Sequence, residues 1–182
     1  MAAPKTTGSK GYIQVYTGNG KGKTTAALGL ALRAAGRGKK TYIAQFMKKG
    51  EYGELSSIGR FLSAYVTIEQ FGLPAFHTTG QAVSPEEREA ALAGIKAVKA
   101  AIAKGDYDII VLDEVNVLLY FHIVPLSDIL EILDHKPERL ELVLTGRQAP
   151  PEVIDRADLV TEMKEIKHYY TRDVPSRLGI EY

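Results

Sequence analysis

The chain has 182 residues, of which 45% are hydrophobic and 25% are charged, and its formal net charge at pH 7 is +1. This length and composition are typical of one folded domain, and the charge balance gives no general reason to expect nucleic acid or an acidic membrane as a partner. Because the chain contains no cysteine, disulfide scaffolds, thiolate metal sites and cysteine nucleophiles are excluded.

Segments typical of strands alternate with segments typical of helices. Residues 1–10 are small and polar and predict a flexible N-terminal arm, and residues 11–182 predict a single domain. The predicted elements are, in chain order, strand 12–16, helix 23–37, strand 41–46, helix 54–62, strand 66–70, helix 84–104, strand 109–112, helix 127–134, strand 140–145, helix 151–157 and strand 159–162. The alternation predicts an α/β fold, with a mostly parallel central sheet and helices on both faces.

The helix that begins after Ser84 has the clearest boundaries. Ser84, Pro85 and Glu87 fit the N-cap, N1 and N3 positions of a capping box, in which proline loses no hydrogen bond. Gly105 predicts the end of this helix. No apolar run is long enough to span a bilayer, and residues 1–10 lack the apolar stretch of a secretory signal. We therefore expect a soluble, cytoplasmic protein without a membrane partner.

A glycine-rich loop separates the first predicted strand from the first helix. Glycines allow successive backbone N–H groups to converge on an anion, and the helix start adds a favourable dipole. Lys23 is expected to contact phosphate oxygens, and the Thr24 hydroxyl can ligate Mg²⁺. The predicted nucleotide-binding residues of the loop are Thr17, Gly18, Asn19, Gly20, Lys21, Gly22, Lys23, Thr24 and Thr25.

This loop is one residue shorter than the usual phosphate-binding loop. The usual pattern has four residues between its first glycine and the Gly-Lys pair, whereas only three separate Gly18 from Gly22. Thr17 occupies the position of the usual first glycine. The loop therefore predicts nucleotide binding, but it does not by itself predict phosphoryl transfer.

Two carboxylates follow the apolar strand of residues 109–112. Asp113 and Glu114 are expected at the carboxyl edge of the sheet, the same edge as the phosphate loop. One of them can hold Mg²⁺, directly or through water, while the other orients a neighbour. Which of the two ligates the metal is left open by the sequence, and an acidic pair that faces solvent is the alternative.

Several segments together resemble one family, the P-loop corrinoid adenosyltransferases. The resemblance runs from Gly11 to Tyr182 and rests on GYIQVYTGNGKGKTTAALGLALRAAG, YIAQF, VLDEVN, LVLTGRQAP and ADLVTEMKEIKHYY. It implies a P-loop NTPase (RecA-like) fold. It also implies transfer of the 5′-deoxyadenosyl group of ATP to the Co(I) of a reduced corrinoid, with release of triphosphate. Members of this family hold ATP in the reverse sense along the shortened loop.

The reaction that the resemblance implies does not require the protein to supply a nucleophile or a base. Because Co(I) is itself the nucleophile, no Ser–His or Cys–His pair is required. Lys23, Lys21, the loop N–H groups and Mg²⁺ on Thr24 and Glu114 are expected to neutralise the triphosphate. The resemblance further implies a homodimer and a reduced flavin or flavodoxin as electron donor. It does not identify the preferred corrinoid.

Other candidate residues lie near the same edge of the sheet. Arg147 is expected to contact ATP, with a solvated or salt-bridged arginine as the alternative, and Asn116 either positions a metal-bound water or closes a turn. Gln45, Lys48 and Lys49 lie at or just after the end of the second strand, where the loop can approach either substrate. For the two lysines, a solvated charged loop is the favoured alternative.

The corrinoid pocket is the least defined part of the resemblance. Relatives of the enterobacterial enzyme carry a Phe-Thr-Trp element where this chain has FGLPAFHTT, and this chain has no tryptophan. Phe71, Phe76 and His77 are the candidate substitutes for residues below the corrin ring, with a plain core or loop role as the alternative. The other histidines, His122, His135 and His168, show no metal-ligand spacing.

Two other functions are compatible with a phosphate loop. A small-molecule kinase or NTPase would need an arginine-bearing lid, for which residues 48–60, ending at Arg60, are the candidate. A RecA-like ATP-binding switch linked to nucleic acid is disfavoured by the near-neutral charge. The identity of the product distinguishes the kinase from the adenosyltransferase, and turnover stimulated by nucleic acid would indicate the switch.

Overall fold

Alternation of side chains along buried strands divides the core into two layers. The structure, a computed structural model, describes residues 10–74 and 81–182. Ile110 and Leu112 face one side of the sheet, whereas Ile109 and Val111 face the other, and all four are buried. Such strands are covered on both faces, as the apolar run of residues 109–112 predicts.

In the described part of the chain, the central sheet has six strands, all of them parallel. Their bounds are β1 Ile13–Thr17, β2 Thr41–Phe46, β3 Val66–Phe71, β4 Ile109–Asp113, β5 Glu141–Thr145 and β6 Leu159–Glu162. The strand order across the sheet is β3-β2-β4-β5-β1-β6. The predicted α/β class is confirmed.

Helices pack on both faces of the sheet. They are α1 Lys23–Ala35, α2 Gly53–Ser57, α3 Pro85–Lys104, α4 Val115–Tyr120, α5 Leu126–Asp134 and α6 Pro151–Ile154, with a π-helical turn at Ile58–Leu62 and a 3₁₀ turn at Tyr169–Arg172. One core layer contains the alanines of α1, and the other contains buried residues of α3, α4 and α5. Within 10–74 and 81–182, no helix combines the length and apolar character needed to cross a bilayer.

The predicted cap of the long helix is confirmed. The Ser84 hydroxyl accepts a hydrogen bond from the Glu87 N–H at 3.1 Å, and the Glu87 carboxylate accepts one from the Ser84 N–H at 2.8 Å. Gly105 ends the helix in the left-handed conformation, with φ at 72°. Helix α3 therefore has fixed ends, which hold its buried face against β2 and β3.

Helix α4 was not predicted from the sequence. It starts directly after Glu114, whose own φ of 65° is left-handed, and none of the side chains that the structure describes caps it. The turn closed by Asn116 that the sequence suggested is therefore wrong, because Asn116 lies inside α4, fully buried. The amide of Asn116 donates to the Gly146 carbonyl at 3.3 Å, which joins α4 to the end of β5.

Candidate active site

A cavity of about 1080 Å³ opens at the carboxyl edge of the sheet. Its walls come from the phosphate loop, the segment around α2, helix α4, the turn after β5 and the C-terminal residues. The lining residues that bear charge are Lys21, Lys23, Lys48, Glu54, Glu114, Arg147 and Glu181. Ligand pockets in proteins commonly measure about 300–1,000 Å³, so this cavity lies at the upper end of the usual range.

The phosphate loop has the backbone shape that its glycines predict. Gly18 and Gly22 have φ values of 94° and 120°, a region that residues with a Cβ rarely adopt. Helix α1 begins at Lys23, no side chain of the described residues caps it, and its first turn contains no acidic residue. Its first N–H groups and its dipole are therefore available to an anion in the cavity.

Lys23 is turned inward along this loop. It is 6% exposed, and its Nζ donates to the carbonyl oxygens of Gly18 and Gly20, each at 2.7 Å. Burial lowers the pKa of the Lys23 ammonium, and the nearby carboxylates of Glu114 and Asp113 act in the opposite direction. Lys23 therefore stabilises the curved loop as well as providing a positive charge to it.

Asp113 joins the phosphate loop to two neighbouring strands. Its Oδ1 accepts hydrogen bonds from the Thr24 hydroxyl at 2.8 Å and from the Thr145 hydroxyl at 2.7 Å. The strand order explains this arrangement, because β5, which ends at Thr145, lies between β4 and β1. Sequence reasoning missed Thr145, although a threonine that ends an apolar strand next to the phosphate-loop strand is a recognisable signal.

Glu114, unlike Asp113, faces the cavity. Its N–H donates to the Thr145 hydroxyl at 2.9 Å, which fixes the left-handed backbone that turns its side chain away from the sheet. Burial raises the pKa of the Glu114 carboxyl, the Asp113 carboxylate raises it further, and Lys48 partly opposes them. The predicted acidic pair thus consists of one buried, hydrogen-bonded carboxylate and one that lines the cavity.

Lys48 was expected to be solvated, and that expectation is wrong. Its side chain is 16% exposed, and its Nζ lies 2.9 Å from Oδ2 of Asp113 and 3.4 Å from Oγ1 of Thr24. Burial alone would lower the pKa of the Lys48 ammonium, but the carboxylates of Asp113, Glu114 and Glu54 together outweigh burial and raise it. Lys49, in contrast, is exposed, as predicted.

Gln45 connects Asp113 to the segment around α2. It is fully buried, and its amide nitrogen lies 3.1 Å from Oε1 of Glu54 and 3.3 Å from Oδ2 of Asp113. Its position follows from the register of the sheet, in which Gln45 pairs with Asp113. Gln45 therefore supports the carboxylate from the side opposite Thr145.

The C-terminal residues close one side of the cavity. Gly179, Ile180, Glu181 and Tyr182 line it, together with His168. Lys21 of the phosphate loop forms an ion pair with Glu181 at 2.6 Å and donates to the Ile180 carbonyl at 3.2 Å and the Tyr169 hydroxyl at 3.1 Å. No local sequence pattern indicates this contact, because its partners lie near opposite ends of the chain.

The predicted nucleotide-binding residues, taken together, divide into two groups. The residues that line the cavity are Asn19, Gly20, Lys21, Gly22, Lys23, Thr24, Thr25 and Arg147. Thr17 and Gly18 lie behind the loop, where the Thr17 hydroxyl accepts a hydrogen bond from the Ala149 N–H at 3.2 Å. Arg60, the candidate lid arginine, is exposed and does not line the cavity.

Of the three candidate corrinoid residues, only Phe71 lies in the part of the chain that the structure describes. Phe71 packs against Phe46, with ring centroids 6.0 Å apart, and does not line the large cavity. Phe76 and His77 lie outside the described residues. In the parts of the chain that the structure describes, no three side chains of the His, Cys, Asp or Glu type converge as a metal cluster.

Comparison with known proteins identifies the family. Residues 9–182 match the family described as ATP:corrinoid adenosyltransferase BtuR/CobO/CobP. The chain belongs to this adenosyltransferase family. The resemblance of the phosphate loop and the later segments to corrinoid adenosyltransferases is thereby confirmed, and the all-parallel sheet is consistent with the P-loop class of these adenosyltransferases.

Curated relatives of this adenosyltransferase cover nearly all of the chain. A protein of Salmonella typhimurium named corrinoid adenosyltransferase CobA is 35% identical over 181 residues, which are 95% of this chain and 86% of the relative. A corrinoid adenosyltransferase of Escherichia coli K12 is 33% identical over the same shares of the two chains. A third, from Pseudomonas aeruginosa, is 33% identical over 177 residues, 95% of this chain and 84% of the relative.

Proposed function

We propose that this protein transfers the 5′-deoxyadenosyl group of ATP to the Co(I) of a reduced corrinoid. The observation that carries the proposal is a shortened phosphate loop at one end of a cavity of about 1080 Å³, in a chain that matches the adenosyltransferase family over residues 9–182. The curated relatives, named corrinoid adenosyltransferases, support the choice of substrates.

The proposed reaction is a single displacement at carbon. The Co(I) lone pair attacks C5′ of ATP, the Co–C bond forms, and the C5′–O bond breaks with its electron pair leaving on triphosphate. Because the nucleophile is the corrinoid, the protein needs to align C5′ with cobalt and to stabilise the charge of the leaving group. The cavity fits this task, since both cationic residues of the phosphate loop and apolar residues of α4 line it.

The phosphate loop is the proposed binding site for the triphosphate. The uncapped N–H groups of α1 converge on it, and Lys21 and Arg147 line the cavity beside it. Lys23 holds the loop through the carbonyls of Gly18 and Gly20, so its charge acts from behind the loop. Removal of one such electrostatic contact typically slows an enzyme by about 10²–10³-fold.

The oxygen ligands at this end fit a magnesium ion. Mg²⁺ in phosphate sites usually takes one or two carboxylates and completes its shell with phosphate oxygens and water. Thr24 and Asp113 are joined by a 2.8 Å hydrogen bond, and the Glu114 carboxylate lines the cavity nearby. We propose that Thr24 and Glu114 hold the ion, with Asp113 orienting Thr24. When bound, Mg²⁺ would neutralise part of the charge on the triphosphate.

The apolar wall formed by α4 is the proposed side for the corrinoid. Val117, Tyr120 and Phe121 line the cavity there, and the Tyr120 and Phe121 rings meet edge to face with centroids 5.1 Å apart. Phe71, Phe76 and His77 stay predictions from the resemblance. So do a homodimer, a reduced flavin or flavodoxin as electron donor, and a cytoplasmic location.

The test is an anaerobic incubation with Mg-ATP and a chemically reduced corrinoid. We expect a light-sensitive Co–C adduct and intact triphosphate, in equal amounts. The Lys49→Ala variant, changed at an exposed lysine that is not among the residues lining the cavity, serves as a matched control for Lys23→Ala. Formation of ADP or free phosphate, with the corrinoid unchanged, would overturn the proposal and favour a kinase or NTPase.

A further inference from the structure

Lys48 lies beside Asp113 and Thr24, two of the residues at the proposed metal site. Its ammonium nitrogen lies 2.9 Å from Oδ2 of Asp113 and 3.4 Å from Oγ1 of Thr24. The Asp113 side chain is 1% exposed and that of Lys48 is 16% exposed, so water screens the charges only weakly. A positive charge is thus already present beside the oxygen atoms of the proposed metal site.

The backbone around Lys48 holds this position. Met47 has a left-handed φ of 55°, an unfavourable conformation for a residue with a Cβ that persists only where its surroundings enforce it. The Met47 N–H donates to the Phe71 carbonyl at 3.0 Å. A Cβ placed on Gly72 would lie 2.4 Å from the backbone nitrogen of Lys48, so the two segments are in close contact. Lys48 is therefore directed to Asp113 by packed backbone.

We propose that the Lys48 ammonium and a divalent metal ion are alternative occupants of one cation position. The ammonium balances the buried Asp113 when no metal is bound, and it moves away when the metal and triphosphate enter. Lys48 is then a positioning residue that sets metal affinity. The inference rests on the proposed function only for the assignment of a divalent ion to this end of the cavity.

Electrostatic repulsion predicts that loss of the Lys48 charge raises the affinity of the site for the metal ion. Two cations within a few ångströms of each other in a partly buried site repel strongly, so the metal ion must displace the ammonium before it can bind. Asp113 keeps hydrogen bonds from Thr24, Thr145 and Gln45 after Lys48 is removed. The site should therefore remain folded in a neutral variant, and it should bind the metal ion more tightly.

The experiment measures Mn²⁺ binding to the full chain in the presence of inorganic tripolyphosphate, from the paramagnetic resonance signal of free Mn²⁺. We expect the K48M variant to bind Mn²⁺ about tenfold more tightly than the wild type, because a competing unit charge is lost. The K49M variant, changed at an exposed neighbour, should match the wild type. Without metal, K48M should melt at a lower temperature, and saturating Mn²⁺ should remove the difference.

Mn²⁺ affinity that is unchanged or weaker in K48M would overturn the inference, and a weaker affinity would assign Lys48 to assisting the metal. Should K48M fail to fold, the K48Q variant, which keeps a polar group beside Asp113, is expected to show the same tightening. The measurement involves neither corrinoid nor adenosyl transfer. Its failure is therefore distinguishable from failure of the proposed function, which the Co–C adduct and the intact triphosphate test.

Discussion

Lys21 in the phosphate loop and Glu181, near the end of the chain, form an ion pair with 2.6 Å between Nζ and Oε1. Glu181 also accepts hydrogen bonds from the Tyr169 hydroxyl and from the Arg177 N–H. This one carboxylate therefore connects the phosphate loop to the segment that closes the cavity. While the Glu181 carboxylate pairs with the Lys21 ammonium, it neutralises much of the positive charge that Lys21 can offer to a triphosphate.

The Glu181→Gln variant should release the C-terminal residues from the loop. An exposed ion pair contributes little free energy, so we expect trypsin to cleave after Arg172 and Arg177 about two- to fivefold faster than in the wild type. Glu165→Gln is the matched control, since Glu165 is exposed and forms no ion pair with a described residue. At about 1 M salt the difference should shrink, because screening weakens the wild-type pair. Equal cleavage rates at low salt would contradict the role of Glu181.

The Lys23→Ala variant should be folded and nearly inactive. It loses both the charge and the hydrogen bonds to the Gly18 and Gly20 carbonyls, so we expect the rate of Co–C adduct formation to fall at least about 10²-fold. Initial rates at saturating ATP measure this change, and circular dichroism checks the fold. A folded variant that kept most of the wild-type rate would argue against triphosphate binding at this loop.

The Thr145→Val variant tests the connection between the strands. Valine has nearly the shape of threonine but leaves Asp113 without one donor and the Glu114 N–H without its acceptor. We expect the free energy of unfolding to fall by about 1–3 kcal/mol, measured by urea denaturation. Thr145→Ser keeps the hydroxyl and should lose less than about 1.5 kcal/mol. If both variants lost the same amount, the methyl group rather than the hydroxyl would carry the effect.

The Glu114→Gln variant should stabilise the metal-free protein while it weakens metal binding. Burial and Asp113 raise the pKa of the Glu114 carboxyl above its ordinary value of 4.5, so the folded chain binds the proton more tightly than the unfolded chain. As the pH rises through the raised pKa, Glu114 ionises, and the free energy of unfolding falls. We expect the variant to gain about 1 kcal/mol at neutral pH, since an amide is easier to bury than a carboxylate beside another carboxylate.

Urea denaturation in EDTA, at about pH 7 and about pH 5, measures this difference. The gain should narrow toward pH 5, because protonation of Glu114 removes the same charge from the wild type. A gain that stayed constant between the two pH values would show that the pKa of Glu114 is not the cause.

The sequence predicted well those helix ends and loops whose conformation depends on residues close by in the chain. The capping box at Ser84 and the glycine-rich loop between β1 and α1 depend on neighbouring residues, and both are present as expected. Strand β4 extends one residue further than the apolar run predicted and includes Asp113. Its last side chain is buried because Thr24, Thr145 and Lys48 provide hydrogen bonds to it, which no pattern within the strand can indicate.

The features that the sequence did not predict depend on contacts between distant segments. Helix α4 is six residues long and uncapped, so it lacks the usual signals and is stabilised by packing on β5. Burial of Lys48 depends on Asp113, 65 residues later. Hydrophobic periodicity reports on burial of apolar faces, and it contains no information about which charged side chains a strand order brings together.

The strand order has a consequence for how the chain acquires its shape during synthesis. Strands β1 and β4 both pair with β5, which lies between them and is made after both. Until residues 141–145 emerge from the ribosome, neither of these apolar strands has its partner on that side, and unpaired strand edges promote aggregation. The halves of the sheet can join only late, through contacts between distant residues, which are slow to form. Thr24 follows β1 and Asp113 ends β4, on opposite sides of β5, so their 2.8 Å hydrogen bond belongs to the completed sheet.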